Sequence, residues 1–311
     1  MVWTSQFLAS TLAQTTPILL AALGAMITSR ANILNVAIEG MALVAAFTAI
    51  AVGQATDSAA FGFGCAVLAA VAMALLFGFV AIVLGADFIV AGLGLNILAV
   101  GGTLFLLEQV YQDPGGLRPD VFPEIWRVPE GSLAWLPVIG PAFERQSFIV
   151  LIALAAVPLS ALFLYRTPLG YALRAVGEDE SAAIAAGIHA ARMKLIAVVI
   201  SGLFAGLAGA QLAMDRLHFF LPDMTSGRGF IGLTAALFGA ARPGPTGGAA
   251  FLFGAFGVIG DRLQLLQAPS QFVLMAPYLA ALLALVFARW RAQARARPAP
   301  VRENPVHETA P

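Results

Sequence analysis

The sequence predicts an all-α, polytopic transmembrane helical bundle, and three observations lead there. The chain has 311 residues, 60% of them hydrophobic, with a mean hydropathy of +0.88. Only 11% are charged, against about 25% in an ordinary soluble domain. Charges also cluster between long apolar runs, as they do where a bilayer is the solvent. One span needs about 20 apolar residues. Nine segments meet or approach that length: 7–28, 36–55, 62–84, 88–111, 147–165, 195–214, 229–241, 248–266 and 270–288. Eight to ten spans is the expected range, because 229–241 is short and flanked by glycine and reads as a half-helix or re-entrant piece.

Orientation follows from the basic residues. With 166–194 cytoplasmic, that side carries Arg30, Arg166, Arg174, Arg192, Lys194, Arg242 and the five arginines beyond Val286. The other side carries Arg118, Arg127, Arg145, Arg216, Arg228 and Arg262. Eleven against six is the bias of the positive-inside rule. Nine spans then place the N-terminus outside and the C-terminus in the cytoplasm. The chain reads as one transmembrane domain, 1–288, followed by an Arg/Ala/Pro-rich disordered tail, 289–311. No basic residue precedes Arg30, so the first apolar stretch lacks the positive start of a secretory signal. Trp3, Trp126, Trp135 and Trp290 fall at span ends or in loops, where interfacial aromatics belong.

The chemistry these residues exclude is equally informative. A formal net charge of zero argues against nucleic acid as a partner. His189, His218 and His307 lie far apart, and Cys65 is a lone cysteine in an apolar run, so neither a metal site nor a disulfide is expected. Lys194 is the only lysine and follows Met193, so the chain has no Gly-Lys-Ser/Thr phosphate loop. No cofactor and no catalytic residue is expected. Only Glu39 lies clearly inside a span, with Asp87 and Glu108 near the ends of the fourth. That is sparse for an ion relay and favours an energy source in another subunit.

Three sets of residues interrupt the apolar pattern. The first is "RANILNVAIEGM" at 30–41, where Arg30, Asn32, Asn35 and Glu39 fall where a helix should run. Asn35 and Glu39 are four apart and would share a helix face. A break here would either line a solute path or hold two helices in register. Asn96, among Gly92, Gly94, Gly101 and Gly102, would either bond across helices or contact a solute. The second is the external loop 112–146, which carries Pro114, Pro119, Pro123, Pro129, Pro137 and Pro141. That density of proline forbids a long helix; the loop is a flap with a short interfacial piece, serving as a partner's dock or as a connector.

The third is the loop 166–194. Gly177 precedes Glu178, Asp179 and Glu180, three acids placed for the first turn of a helix. Ala182, Ala183, Ala186 and Gly187 then form a bare, small-residue stripe. The loop has no large apolar face, so a helix docking on another protein is favoured over an interfacial one. Beyond it, Gly202 and Gly206 have small-xxx-small spacing, with Gly209 one turn on, and predict close helix packing.

Three stretches resemble one family: "ANILNVAIEGMALVAAF" at 31–47, "LGYALRAVGEDESAAIAAGIHAARMKLIAVVISGLFAGLAGA" at 169–210, and "GFIGLTAALFGAARPGPTGGAAFLFGAFG" at 229–257. They are similar to permease subunits of bacterial ABC importers of the branched-chain amino acid/ribose/nucleoside group, most of all the simple-sugar and nucleoside types. In such permeases this loop inserts a coupling helix into an ATPase subunit. Ala182, Ala183 and Gly187 match the Ala-Ala-x3-Gly part of that motif, whereas its leading Glu is Ser181 here, with Glu180 one position early. The resemblance implies an ATP-binding cassette subunit, a second and different permease chain, and an extracytoplasmic solute-binding protein as partners. It also implies an inner-membrane location. It implies alternating access around a cavity lined by Asn35, Glu39 and Asn96, coupled through Gly177, Glu178, Asp179, Glu180, Ala182, Ala183, Ala186 and Gly187. A stand-alone carrier or channel is the alternative.

Overall fold

The computed structural model describes residues 2–119, 122–123, 125–131 and 140–265. The element order is α1 (Val2–Arg30), α2 (Ile38–Thr56), α3 (Ala59–Gly78), α4 (Phe88–Leu106), α5 (Gly140–Phe143), α6 (Phe148–Arg166), α7 (Pro168–Glu178), α8 (Glu180–Ala185), α9 (Ala190–Ala210), α10 (Arg228–Phe238) and α11 (Pro243–Leu265). Three of these run on as wide π-turns: α3 through Phe79–Val83, α4 through Leu107–Tyr111, and α9 through Gln211–Leu217. No strand occurs among the described residues; two isolated bridges, Leu117 with Phe220 and Arg127 with Ser147, are the only β pairings there.

Six helices in the described residues are long and apolar enough to cross a membrane: Ser5–Arg30, Ile38–Thr56, Ala59–Val83, Phe88–Tyr111, Phe148–Arg166 and Ala190–Asp215. They coincide with the first six expected spans. The described residues do not by themselves confirm the expected count of about nine. The seventh segment is the 11-residue α10, too short to span alone. The eighth overlaps α11 as far as Leu265; the first half of α11 is rich in glycine and proline, and α11 is not one of the six. The ninth segment, 270–288, and the tail 289–311 lie outside the described residues.

The bundle centres on α1, α2 and α9. The spans Ser5–Arg30, Ile38–Thr56 and Ala190–Asp215 are two-thirds buried, whereas those of α3, α4 and α6 are about one-third buried. Lipid tails are as apolar as leucine, so helices associate here through close approach and polar bonds rather than through hydrophobicity. Glycine permits the approach. Gly202 and Gly206 face Ala74, Ala70 and Val67 of α3. A Cβ at Gly209 would overlap the carbonyl oxygen of Ala42 on α2, so at that level α2 and α9 touch backbone to backbone. Gly94 and Gly101 on α4, by contrast, face open space.

The chain breaks between α1 and α2, as the polar residues at 30–41 predict. Asn32 takes a positive φ of 57°, and helix resumes only at Ile38. Asn35 therefore lies in the break and not on α2, so the shared-face argument for Asn35 and Glu39 fails. Asn35 turns to α9, where its Nδ2 donates to Ser201 Oγ at 2.9 Å, while its Oδ1 accepts from Ala37 N. Glu39 turns to α10: its carboxylate accepts from the backbone amides of Gly227 (2.7 Å) and Gly229 (2.6 Å). Asn96 joins α4 to the same point, accepting from Gly40 N at 2.8 Å and donating to Val36 O at 3.0 Å.

The energetics explain why an acid is retained here. A carboxylate within a span costs about 2.5–3.5 kcal/mol on insertion scales. Two charge-assisted hydrogen bonds return about 1.5–3 kcal/mol each. Glu39 also lies in the first turn of α2 and against the start of α10, so two helix dipoles favour its negative charge.

Two substitutions test this packing. Gly209→Val should force α2 from α9 and lower the apparent melting temperature in detergent by about 5 °C or more. Gly94→Ala should leave it unchanged; equal shifts in the two variants would refute the backbone contact. Glu39→Gln replaces one acceptor oxygen with an amide NH2, a donor facing the N–H of Gly227 or Gly229. It should cost about 1–3 kcal/mol, read as an earlier thermal transition than wild type.

Candidate functional site

The loop 166–194 folds as a hairpin of its own at one end of the bundle. Thr167 caps α7 by accepting from Gly170 N, and Pro168 occupies the first helical position, where its missing N–H costs nothing. At the far end of α7, Asp179 leaves the helix and caps α8, accepting from Ala182 N at 3.0 Å and from Ser181 Oγ at 2.6 Å. These bonds, the Ser181 hydroxyl first and then the Ala182 amide, hold the fully exposed Asp179 carboxyl below its ordinary pKa. Gly187 ends the hairpin with φ +84°, a left-handed conformation that glycine accepts without strain.

A small core of Val176, Ala183, Ala190 and Met193 holds α7, α8 and the start of α9 together, separate from the core of the bundle. Glu180 reaches Lys194 at 2.7 Å, pinning α8 to α9 near its start. The base is equally fixed. Gly177 packs directly on the backbone of Arg30 at the end of α1, and Arg30 Nε donates to Ala241 O at 2.6 Å in the α10–α11 turn. The hairpin, α1 and that turn therefore meet at one place. Arg174 lies over the rings of Tyr165 and Tyr171, about 5 Å from each centroid (5.0 and 4.9 Å), and so packs the base further.

The expected residues separate on this scaffold. The three acids do not share one first turn: Glu178 ends α7, Asp179 caps α8, and Glu180 alone lies in the first turn of α8. Ala182, Ala186 and Gly187 are exposed, but Ala183 turns inward, so the four do not form one bare face. Two residues went unrecognised in the sequence. Ile184 stands 57% exposed among the alanines, an apolar side chain where a solvated tip would carry a polar one. Lys194 forms the brace; its being the only lysine was the available signal.

The other set, Asn35, Glu39 and Asn96, converges around the start of α2. Asn35 and Glu39 are buried and each of the three is bonded to protein. Beside them, Pro17, Ala42, Gly209, Thr225 and Gly229 surround a void of about 10 Å3, about the space of one water. At the end of the bundle opposite the hairpin, the loop folds over the helix ends. Leu117 and Phe220 exchange backbone bonds at 2.9 Å, and the Phe122 ring stacks on His218. Beneath the loop is a further buried acid, at the end of the sixth apolar helix, that apolar segmentation had placed just past its span. Asp215 lies in the π-turn of α9, its side chain 5% exposed and 3.2 Å from Arg127 Nη2.

Comparison with known proteins matches this architecture to one family. Residues 7–287 match the model described as "Branched-chain amino acid transport system / permease component". The chain is 36% identical to the guanosine ABC transporter permease protein NupQ of Bacillus subtilis, over 89% of each chain. It is 35% identical to a putative glucose ABC transporter permease protein, TsgC13, of Haloferax volcanii, over 86% of this chain and 80% of the relative. It is 31% identical to the nucleoside ABC transporter permease protein NupC of Lactococcus lactis, over 89% and 90%. No solved structure matches it. The chain belongs to the branched-chain amino acid transport system permease family, as a non-catalytic membrane component of an ABC transporter.

Proposed function

We propose that this chain is the permease subunit of an ATP-driven importer for a nucleoside or simple sugar. The observation that carries the reading is the α7–α8 hairpin: a self-capped, separately cored unit that presents Ile184 and small residues at one end of the bundle. A short helix with one protruding apolar side chain amid alanines suits a groove on another protein. The chain holds no phosphate loop, so the partner in that groove is an ATPase subunit. The substrate class is supported by the printed names of three relatives, two for nucleosides or guanosine and one for glucose.

In this reading the hairpin end is cytoplasmic, and the chain lies in the bacterial inner membrane with its N-terminus outside and its C-terminus in the cytoplasm. ATP binding closes the ATPase pair and displaces α8. The displacement passes to the bundle through Gly177 on Arg30 and through Lys194 on α9. A second, different permease chain completes the transmembrane path, and an extracytoplasmic solute-binding protein delivers the solute to the loop end. Transport is by alternating access. Asn35, Glu39 and Asn96 act on the path by holding the α2–α10 junction beside it; the one-water void at that junction is where movement of α10 would open space.

Tagged chain, solubilised in detergent, should co-purify with an ATPase subunit. Gly187→Arg should abolish that recovery without preventing membrane insertion. Gly187→Asn, which tolerates the left-handed turn, should retain it. Recovery of the chain alone, active in liposomes without ATP, would replace this reading with a stand-alone carrier. Ile184→Asp should cut co-purification at least about tenfold, the equivalent of losing one well-buried apolar contact; undiminished recovery would remove Ile184 from the interface. Glu39→Gln should reduce uptake more than it reduces ATPase recovery, and intact uptake would leave Glu39 a purely structural residue.

A further inference from the structure

Helix α9 is held by an ion pair near each end. At the hairpin end Lys194 meets Glu180 at 2.7 Å. At the loop end Asp215 meets Arg127 at 3.2 Å. Between them the helix is unbroken, since Ala190–Ala210 passes directly into the π-turn Gln211–Leu217. The two acidic and basic contacts are therefore about 30 Å apart on one rod.

The loop-end pair has features that a stabilising bridge does not need. Asp215 is almost wholly buried, whereas the Arg127 side chain is 39% exposed and comes from the loop, not from a span. Arg127 also donates to the backbone carbonyls of Asp215 (3.1 Å) and Arg145 (3.2 Å). It thus ties the last turn of α9 to the strand-like crossing of the loop at Arg127 and Ser147. Gln211, fully buried one turn earlier, donates to the other Asp215 oxygen at 3.1 Å. A π-turn is an uncommon way to end a helix and recurs at functional sites. With Asp215 buried, removing Arg127 alone would leave a carboxylate without its charge partner inside the bundle.

We propose that Arg127 and Asp215 are positioning residues for coupling: together they latch the loop end of α9, so that the hairpin cannot follow the ATPase freely until the loop end is released. The inference rests on the transporter reading above. With the far end of α9 held, moving α8 and Lys194 must either break the latch or strain the rod. Arg127 is reachable from the loop side, so a partner arriving there can take its guanidinium and free Asp215. Turnover of ATP would then depend on an event at the opposite end of the bundle.

The test uses the chain co-purified with its ATPase subunit in nanodiscs, without any binding protein, and reads basal ATP hydrolysis. Arg127→Gln combined with Asp215→Asn removes both charges and leaves neither buried unpaired. This double variant should assemble and melt like wild type yet hydrolyse ATP at least about fivefold faster, the lower end of ordinary coupling effects. Arg127→Lys, which keeps the charge, should stay near the wild-type rate. Unchanged basal hydrolysis in an assembled double variant would overturn the latch while leaving the transporter reading intact. If the unsubstituted chain brings down no ATPase, the transporter reading fails first and the latch with it.

Discussion

A single carboxylate, that of Glu39, meets two helix N-termini, and much of the bundle's geometry depends on that meeting. It lies in the first turn of α2 and accepts from the amides that open α10. A half-helix such as α10 leaves its first amides without partners inside its own 11 residues. In lipid no water supplies them. An acid from another helix does, and the same contact removes the penalty of placing that acid in a span. Each is costly alone and the pair is not. Asn35 and Asn96 extend the arrangement, binding the break before α2 to α9 and α4. Four helices are thereby registered through polar bonds for which no water competes in a hydrocarbon medium.

Around this junction the bundle uses glycine to bring helix backbones close. Backbones of α2 and α9 touch at Gly209, and those of α3 and α9 approach at Gly202 and Gly206. Such contacts resist compression but allow sliding, because small flat surfaces interlock weakly. A transporter needs that combination. The hairpin has a core of its own, and α9 runs from the hairpin's brace to the buried Asp215.

The long apolar runs were legible in the sequence because a bilayer demands length and composition at once, and the first six spans follow from that demand alone. The break near Asn32–Asn35 was legible too, since amides and an acid interrupt a helix only at a cost that a fold must recover. What they bond to was not. Asn35 and Ser201 are 166 positions apart and Glu39 and Gly227 are 188 apart, and no local pattern joins them. Asp215 escaped notice because segmentation by apolar runs ends a span at the first charge, whereas a charge partnered by Arg127 allows the helix to continue.

The hairpin divides in the same way. By itself the sequence determined that 166–194 is polar and helical in pattern, and that the chain has no Gly-Lys-Ser/Thr phosphate loop. These are local matters of composition and motif spacing. Only the tertiary structure decided that Asp179 belongs to α8 and Glu180 to Lys194, that Ala183 faces inward, and that Ile184 faces out. A six-residue helix has too few turns for periodicity to assign its faces. Its orientation is set by what Val176 and Met193 bury against it, and those neighbours come from the helices on either side.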